Sequence, residues 1–172
     1  MSTSNHGLNS DGLTLAQFLP LWRDAMWHAV DPNERARLML ELGRARARER
    51  SGLETLLVAF TPRKDPPLSV IPLDAVPTIE TGTLRDNVRQ RLAELQATEV
   101  YVLLTQRATD QAGQACYVLV AWGENVDGER MCWMQAFRYK GEHMDEAPPF
   151  FAPDASETAV DRRLAGLLMP LH

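Results

Sequence analysis

The chain has 172 residues, a net charge of −5, 45% hydrophobic residues and only two cysteines. That balance excludes wholesale disorder, collagen-like repeats and a disulfide scaffold, and the length suits one domain. An acidic chain also disfavours a nucleic-acid partner, because proteins that grip phosphate backbones carry the opposite sign. All but Lys64 and Lys140 of the 18 basic residues are arginine, a coding bias that points to a bacterial source. The first residues show no leader pattern, and no apolar run approaches the ~18 residues needed to cross a bilayer. No membrane association is expected, and the expected compartment is cytoplasmic.

In chain order, residues 1–12 read as a mobile N-terminal tail, and 13–172 as a single α+β domain. Leu15, Phe18, Leu19, Trp22, Met26 and Val30 recur at threes and fours, which predicts a helix with these residues inward. Thr14 with Gln17 has the form of a capping box, while Pro20 predicts a kink or a later start. Asp31-Pro32-Asn33-Glu34 opens a second helix running to about Arg50, so an αα-hairpin leads the fold. Runs 55–61 and 68–74 predict a β-hairpin around a proline-rich loop, although the first run could also extend a helix. Pro72 belongs on an edge strand or bulge. A third helix is expected over 84–97, with Leu84, Val88, Leu92 and Leu95 inward and Thr83 with Asp86 as its cap. Strands follow at 99–108, 114–125 and 129–140, then a loop over 141–153 and a last helix over 156–169. The fold class is therefore α+β, in the order αα-ββ-α-βββ-α, with an antiparallel sheet of about five strands, an N-terminal helical hairpin and two further helices.

Asp127-Gly128 between apolar runs predicts a two-residue turn. That register sets Trp122 opposite Trp133, Val118 opposite Phe137 and Cys116 opposite Tyr139, and puts the two cysteines on opposite faces as free thiols. Both faces of the ribbon are apolar, so the sheet should be covered on both sides by helices, by the C-terminal loop or by a second subunit.

Chemistry-bearing motifs are absent. The ten glycines form no phosphate loop, and there is no HExxH, CxxC or GxSxG. Of the four histidines, His6 lies in the tail, His172 ends the sequence and His28 sits beside the first helix's apolar stripe. His143 and Asp145 could share a metal or form a base with its orienter, but a solvated loop is the expected environment. Cys116 and Cys132 read as buried small hydrophobes, and Glu124, Asp127 and Glu129 as an acidic turn tip. No catalytic residue, metal site or cofactor is expected. Trp122, Trp133, Phe137 and Tyr139 form the most distinctive group, and with His143, Arg44 and Arg48 they are the candidate ligand or partner contacts. Arg44, Arg46, Arg48 and Arg50 read as a broad basic collar, chiefly a solvated face. The expected function is a non-enzymatic interaction or regulatory module using an apolar sheet face on a homodimer mate or another protein. The alternative is a small-molecule-binding protein or small enzyme with a pocket near Trp122, Trp133 and His143.

Overall fold

The computed structural model describes residues 7–50, 54–65, 67–72, 82–152 and 165–168. Helix α1 (Leu15–His28) starts where the capping box places it: the Thr14 hydroxyl accepts the Gln17 amide, and the Gln17 side chain accepts that of Thr14. It continues through Pro20, so the expected later start does not occur. Phe18, Trp22 and Met26 are buried, and the Trp22 indole donates to the Leu38 carbonyl at 2.9 Å. Val30 is not inward as expected. The helix stops at His28, the chain turns extended at Ala29, and Ala29 takes the buried place instead.

Helix α2 (Pro32–Arg48) is capped by Asp31, whose carboxylate accepts the Asn33 amide at 2.9 Å. It is the central helix. Leu38, Met39, Leu40, Leu42, Ala45 and Ala47 are all buried, with the sheet on one side and α1 on the other. Gly43 permits this approach, since a Cβ there would sit 2.9 Å from a Leu103 methyl and 3.2 Å from one of Leu119. The helix ends at Arg48, and Arg50 takes a left-handed φ of 53°.

The sheet is antiparallel and, among the described residues, has seven strands rather than about five. These are β1 (Leu56–Phe60), β2 (Leu68–Pro72), β3 (Glu99–Thr109), β4 (Ala115–Asn125), β5 (Arg130–Lys140), β6 (His143–Glu146) and β7 (Phe150–Phe151). Their order is β2-β1-β3-β4-β5-β6, with β7 also on β5. The run 55–61 thus holds a strand, Leu56–Phe60, rather than a helix extension, and Pro72 does lie on an edge among the described residues. The two additional strands come from the region expected to be loop. Gly141, at φ 59°, makes a two-residue turn that folds His143–Glu146 back onto β5, and β7 resumes after Pro148-Pro149. Helix α3 (Gly82–Glu94) joins β2 to β3 and ends three residues earlier than expected.

Both faces of the sheet are covered. Tyr101, Leu103, Leu119 and Phe137 pack under α1 and α2, while Val102, Val120, Trp122 and Cys132 pack with Val88, Leu92 and Leu167. Of the expected last helix only residues 165–168 are described. They form a turn in which the buried Glu124 carboxylate accepts the amides of Gly166 (2.9 Å) and Leu168 (3.3 Å). Glu124 is therefore a buried anchor, not part of a solvated turn tip.

Two expectations are corrected here. The β4–β5 register is shifted by one: Trp122 pairs with Cys132, Ala121 with Trp133, Val118 with Ala136 and Tyr117 with Phe137. The turn has three residues, because Asn125 rather than Val126 closes it. The Asn125 amide donates to the Glu129 carbonyl at 3.0 Å, its side-chain oxygen accepts the amides of Asp127 and Glu129, and only Gly128, at φ 81°, is left-handed. One residue of slip moves every side chain of β5 to the other face. The mobile tail does not extend over residues 7–12. Ser10 is buried, its backbone amide and hydroxyl both donating to Glu41, and Leu8 packs on the core.

Candidate functional site

Five of the seven expected contact residues gather where the C-terminus of α2 meets the β5–β6 hairpin. Arg44 grips Glu146 through Nε (3.1 Å) and Nη2 (2.7 Å), Glu41 through Nη1 (2.8 Å), and Asp11 (3.1 Å). Arg48 reaches Asp11 at 2.6 Å and the Ser10 hydroxyl at 2.8 Å. The Arg50 guanidinium lies 4.3 Å over the ring of Tyr139, whose hydroxyl donates to the Ala47 carbonyl at 2.6 Å. Phe137 stacks on Tyr117 and Tyr139 meets both edge-on, ring centres 5.3 to 5.9 Å apart. Arg48, Tyr139, Glu142, His143 and Met144 border a small cavity of about 240 Å³. His143 itself is exposed.

Arg44, Arg46 and Arg48 of the basic collar are therefore half-buried in ion pairs rather than solvated, while Arg50 is exposed. Burial pulls the Arg44 guanidinium down, but hydrogen bonds to Glu146 and Glu41 more than reverse this, and it is held above the usual arginine range. Arg44 and Arg48 are answered by Asp11 and Glu146 from distant segments, Arg46 by Glu54 and Arg50 by the Tyr139 ring, so the arrangement clamps residues 8–11, α2 and β6 together. Across the hairpin, Lys140 bonds Asp145 at 2.8 Å and holds its carboxyl below the usual range.

Trp122 and Trp133 do not join this cluster or each other. Trp122 is buried on the α3 face of the sheet. Trp133 is on the α2 face, donating to the Asn33 side chain at 2.9 Å and packing on Phe151. Trp122 and Trp133 thus lie on opposite faces of the sheet, and the expected grouping of both with His143 does not form. Cys116 and Cys132 are free thiols on the same face, not opposite faces, and only Cys132 is buried. His28 is exposed, close to Asp24 and stacked on Trp27; His6 and His172 lie outside the described residues. Among the described residues no three metal-ligating side chains converge, and no helix is long and apolar enough to cross a membrane.

An apolar opening lies elsewhere, between α1 and β2. Pro20, Trp22, Trp27, Pro67, Leu68 and Val70 line a groove of about 530 Å³, with Arg23 and Asp24 on its rim. Trp27 is 53% exposed, Val70 46% and Leu21 48%. Large apolar side chains gathered at one exposed surface mark interaction sites more often than single ones do.

Comparison with known families, curated proteins and solved structures finds no match. The functional reading rests on this geometry.

The groove residues were not among those singled out from the sequence. A signal was present. Pro20, Leu21 and Trp27 fall outside the inward stripe of α1, and an outward helix face that carries tryptophan, leucine and proline has something to cover. On β2, the run LSVIP holds no charge at all.

Proposed function

We propose that this chain is a non-enzymatic interaction module that docks a partner chain along the outer edge of β2 and the groove beside α1. The chain's own helices and the 165–168 turn pack on both sheet faces, so this reading places the docking surface at an edge rather than a face. The observation that carries the reading is the pairing of an uncharged edge strand with an apolar groove. Proteins blunt exposed strand edges with charge, proline or short length. The opposite margin of the sheet follows that rule: β6 carries His143, Asp145 and Glu146. In β2 only Pro72 does so, and Val70 stands open beside Trp27. A chain added to β2 would gain backbone hydrogen bonds and place alternate side chains in the groove, the mode of recognition known as strand addition.

Panning a library of displayed random peptides tests this. Binders should be extended sequences with alternating apolar residues. Val70→Lys and Trp27→Ser should each weaken them at least tenfold without changing the thermal midpoint. Failure to select any binder, or binders indifferent to both substitutions, overturns the proposal.

A further inference from the structure

We infer that the occupant of this edge is a second copy of the chain, seated antiparallel on β2 about a two-fold axis at Val70. The inference rests on the interaction-module reading above and names its partner.

The hydrogen-bond phase of β2 supplies the first support. The Thr61 amide donates to the Pro67 carbonyl at 2.6 Å, in the same register that pairs Ala59 with Ser69 and Leu57 with Ile71. Bonded and non-bonded pairs alternate along an antiparallel ladder. Ser69 and Ile71 therefore spend their backbone groups on β1, while Leu68, Val70 and Pro72 turn theirs outward. The missing N–H of Pro72 falls on the outer side, where an edge strand tolerates proline. With the axis at Val70, its N–H meets the carbonyl of the partner's Val70 and the reverse. The Leu68 N–H meets the carbonyl of the partner's Pro72. Every outward donor of the strand then has an acceptor, and Pro72 is asked only to accept.

Side chains and charges agree with this. Leu68 and Val70 project on the α1 face, into the groove beneath Trp27. A two-fold axis normal to the sheet keeps both α1 helices on that same side, running in opposite directions, so the exposed apolar side chains of one cover those of the other. Isologous pairing of this kind needs a self-complementary surface. The rim provides one. Arg23 has no charged partner among the described residues, and Asp24 has only the exposed His28, 3.3 Å away. Antiparallel α1 helices carry each Arg23 toward the partner's Asp24.

The test combines mass with cross-linking. Light scattering on the full chain across the micromolar range should show a dimer, and Val70→Lys should shift it to monomer, weakening association at least tenfold. In a Cys116→Ser background, Val70→Cys should oxidise to a covalent dimer, because facing bonded residues lie about 5.5 Å apart at Cα, within disulfide reach. Ile71→Cys, which points to the other face, should not. A wild-type monomer throughout, or a dimer untouched by Val70→Lys and not trapped by Val70→Cys, overturns the second copy as occupant. If that monomer still binds panned peptides through Val70, the interaction-module reading survives. If it binds none, both fall.

Discussion

Arg35 and Glu99 face each other as a two-pronged ion pair, the guanidinium Nη1 lying 2.9 Å from each carboxylate oxygen. The same arginine donates to the carbonyls of Met26 (3.1 Å) and Ala29 and lies 4.3 Å over the ring of Phe60. The Tyr101 hydroxyl donates to Glu99 at 2.6 Å. One buried guanidinium thus joins the end of α1, the start of α2, β1 and β3.

Removing one partner of a buried pair leaves the other uncompensated, at a cost of about 3–5 kcal/mol. Arg35→Met should therefore lower the free energy of unfolding by about 3 kcal/mol or more, read from urea titration. Adding Glu99→Gln should recover part of the loss. A double variant less stable than Arg35→Met would show that Glu99 matters through Tyr101 rather than through Arg35.

The three-residue turn gives a second expectation. Asn125→Ala strips the acceptor from two backbone amides and should cost about 1–3 kcal/mol. Gly128→Ala forces a side chain to φ 81° and should cost about 1–2 kcal/mol. Asp127→Ala should do little, since only Gly128 of the turn needs the left-handed region. Equal losses at Asp127 and Gly128 would argue for the two-residue turn instead.

The thiols separate by burial. Cys132 is fully buried and Cys116 partly exposed. A thiol reagent should modify one cysteine per native chain and two after denaturation, with Cys116→Ser abolishing the native reaction. Native labelling of Cys132 would contradict its place under Leu167.

Two tyrosines should set an alkaline limit to stability. Burial, with the Glu99 hydrogen bond, pushes the Tyr101 phenol well above the usual range, and burial raises Tyr139. A raised folded-state pKa means that the folded chain keeps protons which the unfolded chain releases. This contribution is complete below the unfolded value, about pH 10, and is lost as pH climbs toward the folded one. Urea midpoints should fall above about pH 10, less steeply in Tyr101→Phe. Tyrosinate absorbance that rises fully before unfolding would refute the shift.

Local patterns carried most of the architecture. The Thr14 box, the Asp31-Pro32 start and the three strands between Glu99 and Lys140 are legible because each depends on residues a few positions apart. The hairpin register was not, because Asp127-Gly128 fits two turn types and the side chain of Asn125 decides between them. The fate of Arg44 and Arg48 was not legible either, since Asp11 and Glu146 reach them from opposite ends of the chain. Trp122 and Trp133 were read as one group because a single slip of register moved them to the same face. The groove of Trp27 and Val70 is assembled from a helix and a strand that no local window contains.

The central position of α2 also governs how the chain can be made. Arg44 finds Glu146 across 102 positions, and the floor beneath the helix is laid by β3, β4 and β5. At about 5–20 residues per second, synthesis of that interval takes roughly 5–20 s. Until it is complete Leu38, Met39 and Leu42 lack the sheet they pack on and have only α1 beside them. A nascent chain of this protein therefore passes through a period in which the sheet-facing side of its central helix lies open. Its yield in a cell should depend on whatever shelters that helix before the last strands emerge.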